Sequence, residues 1–289
     1  MLSVRQKILI ARMVNQVIRP LRRITGQGMR TRCRRKGIEW DLDLDEGIDL
    51  SIYLLGSYEP GTLRAYTPII RPGDTVFDIG ANIGAHTLHF ARIVGKAGRV
   101  FAFEPTDYAA AKLRANLALN SDLAPRVTFQ QSFLVAERSA PLPASVASRW
   151  PVANQHDDLD VNHLGKPEAL SNATAITADE FCEEKGLQRL DFVKLDVDGY
   201  EHTVLRGFRR SLERFRPIIL MELAPFVYND RPAKDFPEFI SFISDLGYVL
   251  TQASSGRQIS LDPEVLRREI APGAAMNCLL HPAEKRARQ

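Results

Sequence analysis

The chain has 289 residues, 45% apolar and 25% charged, the balance of a globular protein that can bury a core without disulfides or a structural metal. Its three cysteines, Cys33, Cys182 and Cys278, are odd in number and far apart, which argues against a disulfide framework or a zinc ribbon and suits a reducing, cytoplasmic setting. The net charge of +3 hides an asymmetry: residues 1–38 hold eleven Lys and Arg and no Asp or Glu, which leaves the remainder at −8. No apolar run reaches the roughly 18 residues that span a bilayer. Arg5, Lys7 and Arg12 cut the first apolar stretch, making it a poor secretory signal, although an Arg-rich start free of acids also fits an organelle presequence.

In chain order, Ser3 to Arg19 reads as a basic amphipathic helix. Val4, Ile8, Met13 and Val17, flanked by Leu9, Val14 and Ile18, recur at helical spacing, and Pro20 is expected to stop the run. Gly26, Gly28 and the basic residues up to Lys36 read as a linker. Ile38 to Leu44 alternates apolar and charged residues as a half-buried strand does, and Ile48 to Leu54 reads as its antiparallel partner. From Pro72 the pattern becomes strand–helix–strand. Strands are expected at Thr75–Ile79, Arg99–Phe103, Val127–Gln130, Asp191–Leu195 and Pro217–Glu222, with two closing strands at Tyr248–Thr251 and Met276–Leu280. Helices are expected at His86–Val94, Tyr108–Asn120, Asp179–Lys185, His202–Phe215 and Phe236–Leu246. The stretch from Ser139 to Ala173 carries Pro141, Pro143, Pro151 and Pro167 and little periodicity, the mark of a functional or mobile loop. Alternating strands and helices predict an α/β, Rossmann-like fold with a mostly parallel seven-stranded sheet, helices on both faces, and ligands at the carboxyl ends of the strands.

Three motifs fall at those ends. Asp78-Ile-Gly-Ala-Asn-Ile-Gly84 follows a strand and precedes a helix, and Gly80 and Gly84 allow the tight turn and a close backbone approach. The spacing is D-x-G-x-x-x-G rather than the phosphate-binding G-x-G-x-x-G. An acid at the turn suits the ammonium group of S-adenosylmethionine better than a phosphate. Glu104, roughly two dozen residues on, ends the second strand where a carboxylate can accept both ribose hydroxyls, and Pro105 fixes the strand end. Asn82 and Ser132 complete the candidate cofactor set. In Phe192-Val-Lys-Leu-Asp-Val-Asp-Gly-Tyr-Glu201 a buried strand delivers Asp196 to its end. Lys194 shares the Asp196 face, and Glu201 opens the next helix, where the dipole favours an acid. Carboxylates there suit an oxygen acceptor, as proton acceptors or as ligands of a hard cation.

Together these stretches resemble the FkbM family of methyltransferases, from about Gly56 to His281. The likeness rests on Gly56-Ser-Tyr-Glu59, Pro72 to Gly84, Gly98-Arg-Val-Phe-Ala-Phe-Glu-Pro105, Leu113 to Asn120, Val193 to Glu201, Leu205-Arg-Gly207 and Arg216 to Leu223. Asp198-Gly-Tyr-Glu201 departs from the family's more usual Glu-Gly-Ala-Glu by adding a large ring. The resemblance implies a class I S-adenosylmethionine-dependent methyltransferase domain over residues 71–289, preceded by a β-hairpin extension over 37–70 and the basic helix and linker over 1–36. It also implies O-methylation of a sugar, a glycolipid or a glycosylated natural product.

On that expectation Asp196 accepts or orients the acceptor proton and Glu222 assists, with Lys194 and Glu201 beside them. Asp196, Asp198 and Glu222 are also the candidate ligands of a divalent cation such as Mg2+, which would lower the hydroxyl pKa. The basic helix has several readings: contact with an anionic membrane surface, a partner, packing on the body, or RNA. The last would go with a rival function, a ribose 2′-O-methyltransferase using Lys194, Asp196 and Glu201, but no RNA-binding module or aromatic-basic interleaving is visible. A non-catalytic S-adenosylmethionine-binding protein is the third class. Among weaker signals, His156 to His163 reads as a solvated loop rather than a metal site. His86 and His89 read as packing. Trp40 reads as core, Trp150 could stack on a sugar ring, and Tyr200 could line the acceptor pocket.

Overall fold

The computed structural model describes residues 4–153, 165–229, 232 and 235–286. Helix α1 (Val4–Ile24) precedes a hairpin of β1 (Arg30–Arg35) and β2 (Ile38–Asp43), then α2 (Gly47–Leu55) and α3 (Pro60–Tyr66). The alternating body begins with β3 (Thr75–Ile79), α4 (Thr87–Val94), β4 (Arg99–Phe103), α5 (Asp107–Leu119) and β5 (Val127–Gln130). Four short strands follow, β6 (Ser132–Leu134), β7 (Ser145–Arg149), β8 (Lys166–Ala169) and β9 (Thr174–Ile176). Next come α6 (Ala178–Glu184), β10 (Phe192–Leu195), α7 (Glu201–Arg206), α8 (Arg209–Phe215) and β11 (Ile218–Leu223). The last elements are α9 (Asp235–Asp245), β12 (Tyr248–Gln252), β13 (Gln258–Ile259), α10 (Pro263–Glu269), β14 (Met276–Pro282) and α11 (Ala283–Arg286).

The central sheet runs β13-β12-β14-β11-β10-β3-β4-β5. β11, β10, β3, β4 and β5 are mutually parallel, and β14 lies antiparallel between β11 and β12. The seven expected strands are all present, and the two-residue β13 adds an eighth at the edge. From β3 the chain winds outward through β4 and β5, then crosses back to β10 on the other side of β3. That reversal opens a crevice at the carboxyl ends of β3 and β10. Of the parallel strands, β3, β4, β10 and β11 are largely buried on both faces, which explains their near-continuous apolar runs, whereas β5 at the edge is not. On one face Phe77 packs against Phe101, Phe103, Phe181 and Phe208. On the other, Val76 and Val100 meet Trp40, Tyr66 and Phe90.

Five expectations about local structure change. Helix α1 passes through Pro20 to Ile24, because tertiary anchors hold both sides of the missing N–H. Asn15 Nδ2 donates to the Leu44 carbonyl (2.7 Å), and Arg22 donates to the Gly28 carbonyl (2.8 Å) and to the Tyr53 hydroxyl (3.2 Å). The expected linker contains strand β1, whose arginines stand across from acids of β2. Arg30 faces Asp43, Arg32 faces Asp41 and Arg34 faces Glu39, at 3.5–3.6 Å, and such cross-strand pairs set the register. With β1 as the partner of β2, residues 48–54 are helical in α2. There Asp49 is buried beside Ile48 and Leu50, accepts the Asp43 N–H (2.6 Å) and pairs with Lys112.

The helix expected from His202 to Phe215 breaks at Gly207. A Cβ there would meet the Val135 carbonyl oxygen at 2.1 Å, and Asp179 caps the restarted helix by accepting the N–H groups of Arg210 (3.0 Å) and Ser211 (2.7 Å). The proline-rich stretch is not all loop: β7 and β8 form an antiparallel hairpin. Arg149 fastens it to the start of α2 by pairing with Glu46, and it also reaches Glu168 (3.1 Å). No helix among the described residues is long and apolar enough to cross a membrane.

Candidate active site

Above the switch point lies a cavity of about 830 Å3, within the range of small-molecule sites. Its floor is the turn from β3 to α4. Gly80 adopts φ +77°, and a Cβ there would stand 1.8 Å from the Asp196 carbonyl oxygen, so only glycine lets the two strand ends meet. Asn82, also left-handed at φ +48°, donates its backbone N–H to Glu104 Oε2 (3.0 Å) and its side-chain amide to the Ser148 carbonyl (2.9 Å). Glu104 Oε1 accepts the N–H (2.9 Å) and hydroxyl (2.6 Å) of Thr106. Burial pushes the Glu104 carboxyl up, and the bonds from Thr106 and Asn82 pull it back. Pro105 and Ser132 line the same wall, and Ser132 Oγ lies 2.9 Å from Thr174 Oγ1.

Asp78 lies behind this wall rather than on it. It is fully buried, its Oδ2 accepts the Thr87 hydroxyl (2.6 Å), and its Oδ1 lies 3.7 Å from Lys194 Nζ. Lys194, its register partner on β10, donates to the Gly80 carbonyl (3.1 Å) and reaches Asp196 Oδ2 (3.2 Å). Burial works against the ammonium, but Asp196 and Asp78 outweigh it and hold the Lys194 pKa above its ordinary value. This lysine ties the glycine turn to the strand end.

Asp196, Asp198 and Glu222 also line the cavity, and one carboxylate oxygen from each lies within 4.8 Å of the other two. Burial pushes the Glu222 carboxyl well up, and the neighbouring Asp196, Glu59 and Asp198 push it further. Glu201 does not join this group. It is buried, its Oε1 accepts the N–H groups of Val197 and Gly199 (3.2 Å each), and it holds the loop that presents Asp196 and Asp198. Burial pushes its pKa to about 7.

Sequence reasoning passed over Glu59 as a site residue, although it closes the Gly56–Glu59 motif and precedes the helix-opening Pro60. In the fold it reaches the same cavity. Glu59 Oε2 accepts from Thr62 Oγ1 (2.8 Å) and Asn277 Nδ2 (3.1 Å), and Oε1 lies 3.6 Å from Lys7. Its backbone is left-handed at φ +41°. Glu59, Asn82 and Asp198 all border the cavity in a conformation unusual for non-glycine residues, and such strain gathers at functional sites. Of the two histidines, only His86 lines the cavity. Its Nδ1 lies 3.2 Å from the Tyr66 hydroxyl, and burial holds its pKa well below the ordinary value. His89 lies near the Trp40 ring, and both are buried. Trp150 and Tyr200 line the cavity. The stretch from His156 to His163 falls wholly outside the described residues. Ile8, Ile10, Ala11 and Val14 of α1, with Leu50 and Leu54 of α2, form the roof.

A sheet wound in this order, with its crevice between β3 and β10, is the class I methyltransferase fold. A family model described as the methyltransferase FkbM domain matches residues 78–250, and the chain belongs to that family. It is 27% identical over 165 residues to hexuronic acid methyltransferase AglP of Haloferax volcanii, covering 56% of this chain and 61% of that protein. It is also 27% identical over 161 residues to 2-O-methyltransferase NoeI of Sinorhizobium fredii, covering 50% and 62%. The chain thus spans about three fifths of the length of these curated relatives. A crystal structure of methyltransferase FkbM from Methylobacillus flagellatus KT aligns with a TM-score of 0.42 at 16% identity, covering 76% of this chain and 50% of that one.

Proposed function

We propose that the chain transfers the methyl group of S-adenosylmethionine to a hydroxyl of a carbohydrate or glycosylated small molecule. One observation carries this reading: a single cavity is lined by Glu104, Asp196 and Glu222 together. Glu104 is fixed by Asn82 and Thr106 and keeps lone pairs for ribose hydroxyls. Hydroxyl groups donate hydrogen bonds, and a wall of carboxylates is built to accept them. The relatives named for a hexuronic acid and for a 2-O position support oxygen on a sugar as the acceptor.

The cofactor supplies a methyl group already activated as a sulfonium, so orientation should account for much of the rate. Asp196 orients the acceptor hydroxyl and takes its proton. Glu222, whose carboxyl is pushed well up by burial and by the neighbouring acids, assists beside it. Asp78 acts through Lys194, which keeps the glycine turn and the Asp196 strand end together. The same three carboxylates, Asp196, Asp198 and Glu222, can also hold Mg2+, which when bound would make the hydroxyl more acidic. Retained activity in excess chelator removes that part alone.

The test has two stages. Calorimetric titration with S-adenosylhomocysteine should give stoichiometric binding. Transfer of an isotopically labelled methyl group is then assayed on glycans bearing hexuronic acids, with RNA as the control. Label on sugar oxygen is the expected result. Absence of cofactor binding overturns the reading, as does label appearing on RNA instead.

A further inference from the structure

Helix α1 is amphipathic in an unusual sense: its inward face is already satisfied, yet its outward face is apolar. Ala11, Val14 and Ile18 pack on the core, and Asn15 and Arg22 are buried against it. At 3.6 residues per turn the opposite side carries Leu9, Met13, Val17, Leu21 and Ile24 in one stripe. These five are between 51% and 82% exposed. Ile10 on the same side, with Leu54 and Leu55 of α2, is exposed too and lies at the cavity mouth. A contiguous apolar surface of this kind on a folded body marks an interaction site.

The charges on the helix identify the partner. Helix α1 carries six Lys and Arg and no acid, and Arg5, Arg12, Arg19 and Arg23 lie along one flank of the stripe by their spacing. Lys7 and Arg19 pair with Glu59 and Asp45. Arg5 and Arg23 are exposed, and among the described residues neither pairs with a carboxylate. A second copy laid against this stripe would bring like charges together across a two-fold axis. An anionic bilayer surface complements both features, accepting the apolar ridge between headgroups and attracting the arginines. We propose that the outer face of α1, with Leu54 and Leu55, docks on an anionic lipid bilayer and turns the cavity mouth towards it.

The full chain is sedimented with vesicles of phosphatidylcholine containing phosphatidylglycerol, and with phosphatidylcholine alone. The protein should pellet with the anionic vesicles and much less with the neutral ones. The triple variant Leu9→Glu, Met13→Glu, Val17→Glu changes only exposed side chains away from the cavity wall. It should lose anionic vesicle binding by about tenfold or more while still binding S-adenosylhomocysteine in calorimetry. A wild-type protein that stays in the supernatant with both vesicles overturns the proposal, and so does a variant that pellets as well as the wild type. A wild-type dimer that the same substitutions convert to a monomer, measured by light scattering, assigns the stripe to a second copy instead. The vesicle result does not depend on any methyl-transfer assay, so its failure leaves the proposed chemistry untouched.

Discussion

Lys194 Nζ lies 3.2 Å from Asp196 Oδ2 and 3.7 Å from the fully buried Asp78 Oδ1. One ammonium thus neutralises a carboxylate beneath the cavity floor and another on its wall. Lys194→Met would strand the Asp78 charge, and removing one partner of a buried pair costs about 3–5 kcal/mol. The further change Asp78→Asn should restore part of that loss, because nothing ionised is then left buried. Urea unfolding of the two single variants and the double variant measures the coupling. Strictly additive losses would show that the two groups do not compensate each other.

Asp196→Asn keeps the shape of the strand end and removes the proton acceptor. Turnover should fall by about a hundredfold or more, while S-adenosylhomocysteine affinity stays within about threefold of the wild type. Calorimetry and a labelled-methyl assay separate the two quantities. A large loss of cofactor affinity would assign Asp196 to cofactor binding instead.

Glu104→Ala should act in the opposite way. It removes a carboxylate whose charge-assisted bonds to ribose would each contribute about 1.5–3 kcal/mol, and it leaves the Asn82 and Thr106 donors unanswered. Cofactor affinity should drop by about two orders of magnitude. Unchanged affinity would mean the ribose lies elsewhere.

The pH–rate profile should report Glu222. Burial and three neighbouring carboxylates push its ionisation above the ordinary carboxylate range, so activity should rise with pH as it becomes a competent proton acceptor. Glu59→Gln removes one of the negative neighbours and should move the limb to lower pH. A limb unmoved by that change would exclude Glu222 as its origin.

Glu201 links the loop to stability. Its native pKa of about 7 exceeds the ordinary 4.5, so between those values the native state holds a proton that the unfolded chain has lost. Its contribution is therefore full below pH 4.5 and is lost as pH rises through about 7. The size is on the order of 3 kcal/mol. Glu201→Gln keeps an acceptor for Val197 and Gly199 without the charge, and its stability should be flatter over that window. Thermal melts at about pH 5 and about pH 8 compare the two. A wild type whose melting temperature rises over that range, relative to the variant, would contradict the assignment.

The central strands were legible because buried parallel strands are written locally. Thr75–Ile79, Arg99–Phe103 and Val127–Gln130 are short apolar runs ended by turn residues, and each begins and ends where its pattern does. Once those ends are placed, Gly80, Glu104 and Asp196 fall at the crevice by topology alone. Glu201 and Asp78 were harder. Sequence position put both at the site, but whether a side chain faces the cavity or braces it from behind depends on partners such as Thr87 and the Val197 amide.

The sequence by itself determined the seven strands and helices of the body and which acids stand at the strand ends, because periodicity and turn residues are properties of neighbours along the chain. Only the tertiary structure decided that α1 continues past Pro20, that β1 rather than residues 48–54 pairs with β2, and that Glu59 lines the same cavity as Glu222. The α1 and Glu59 outcomes turn on interactions between residues tens to more than a hundred positions apart, and the β1–β2 pairing on arginines that meet acids across the strands. Their energies depend on which surfaces are brought together, and no local pattern records that.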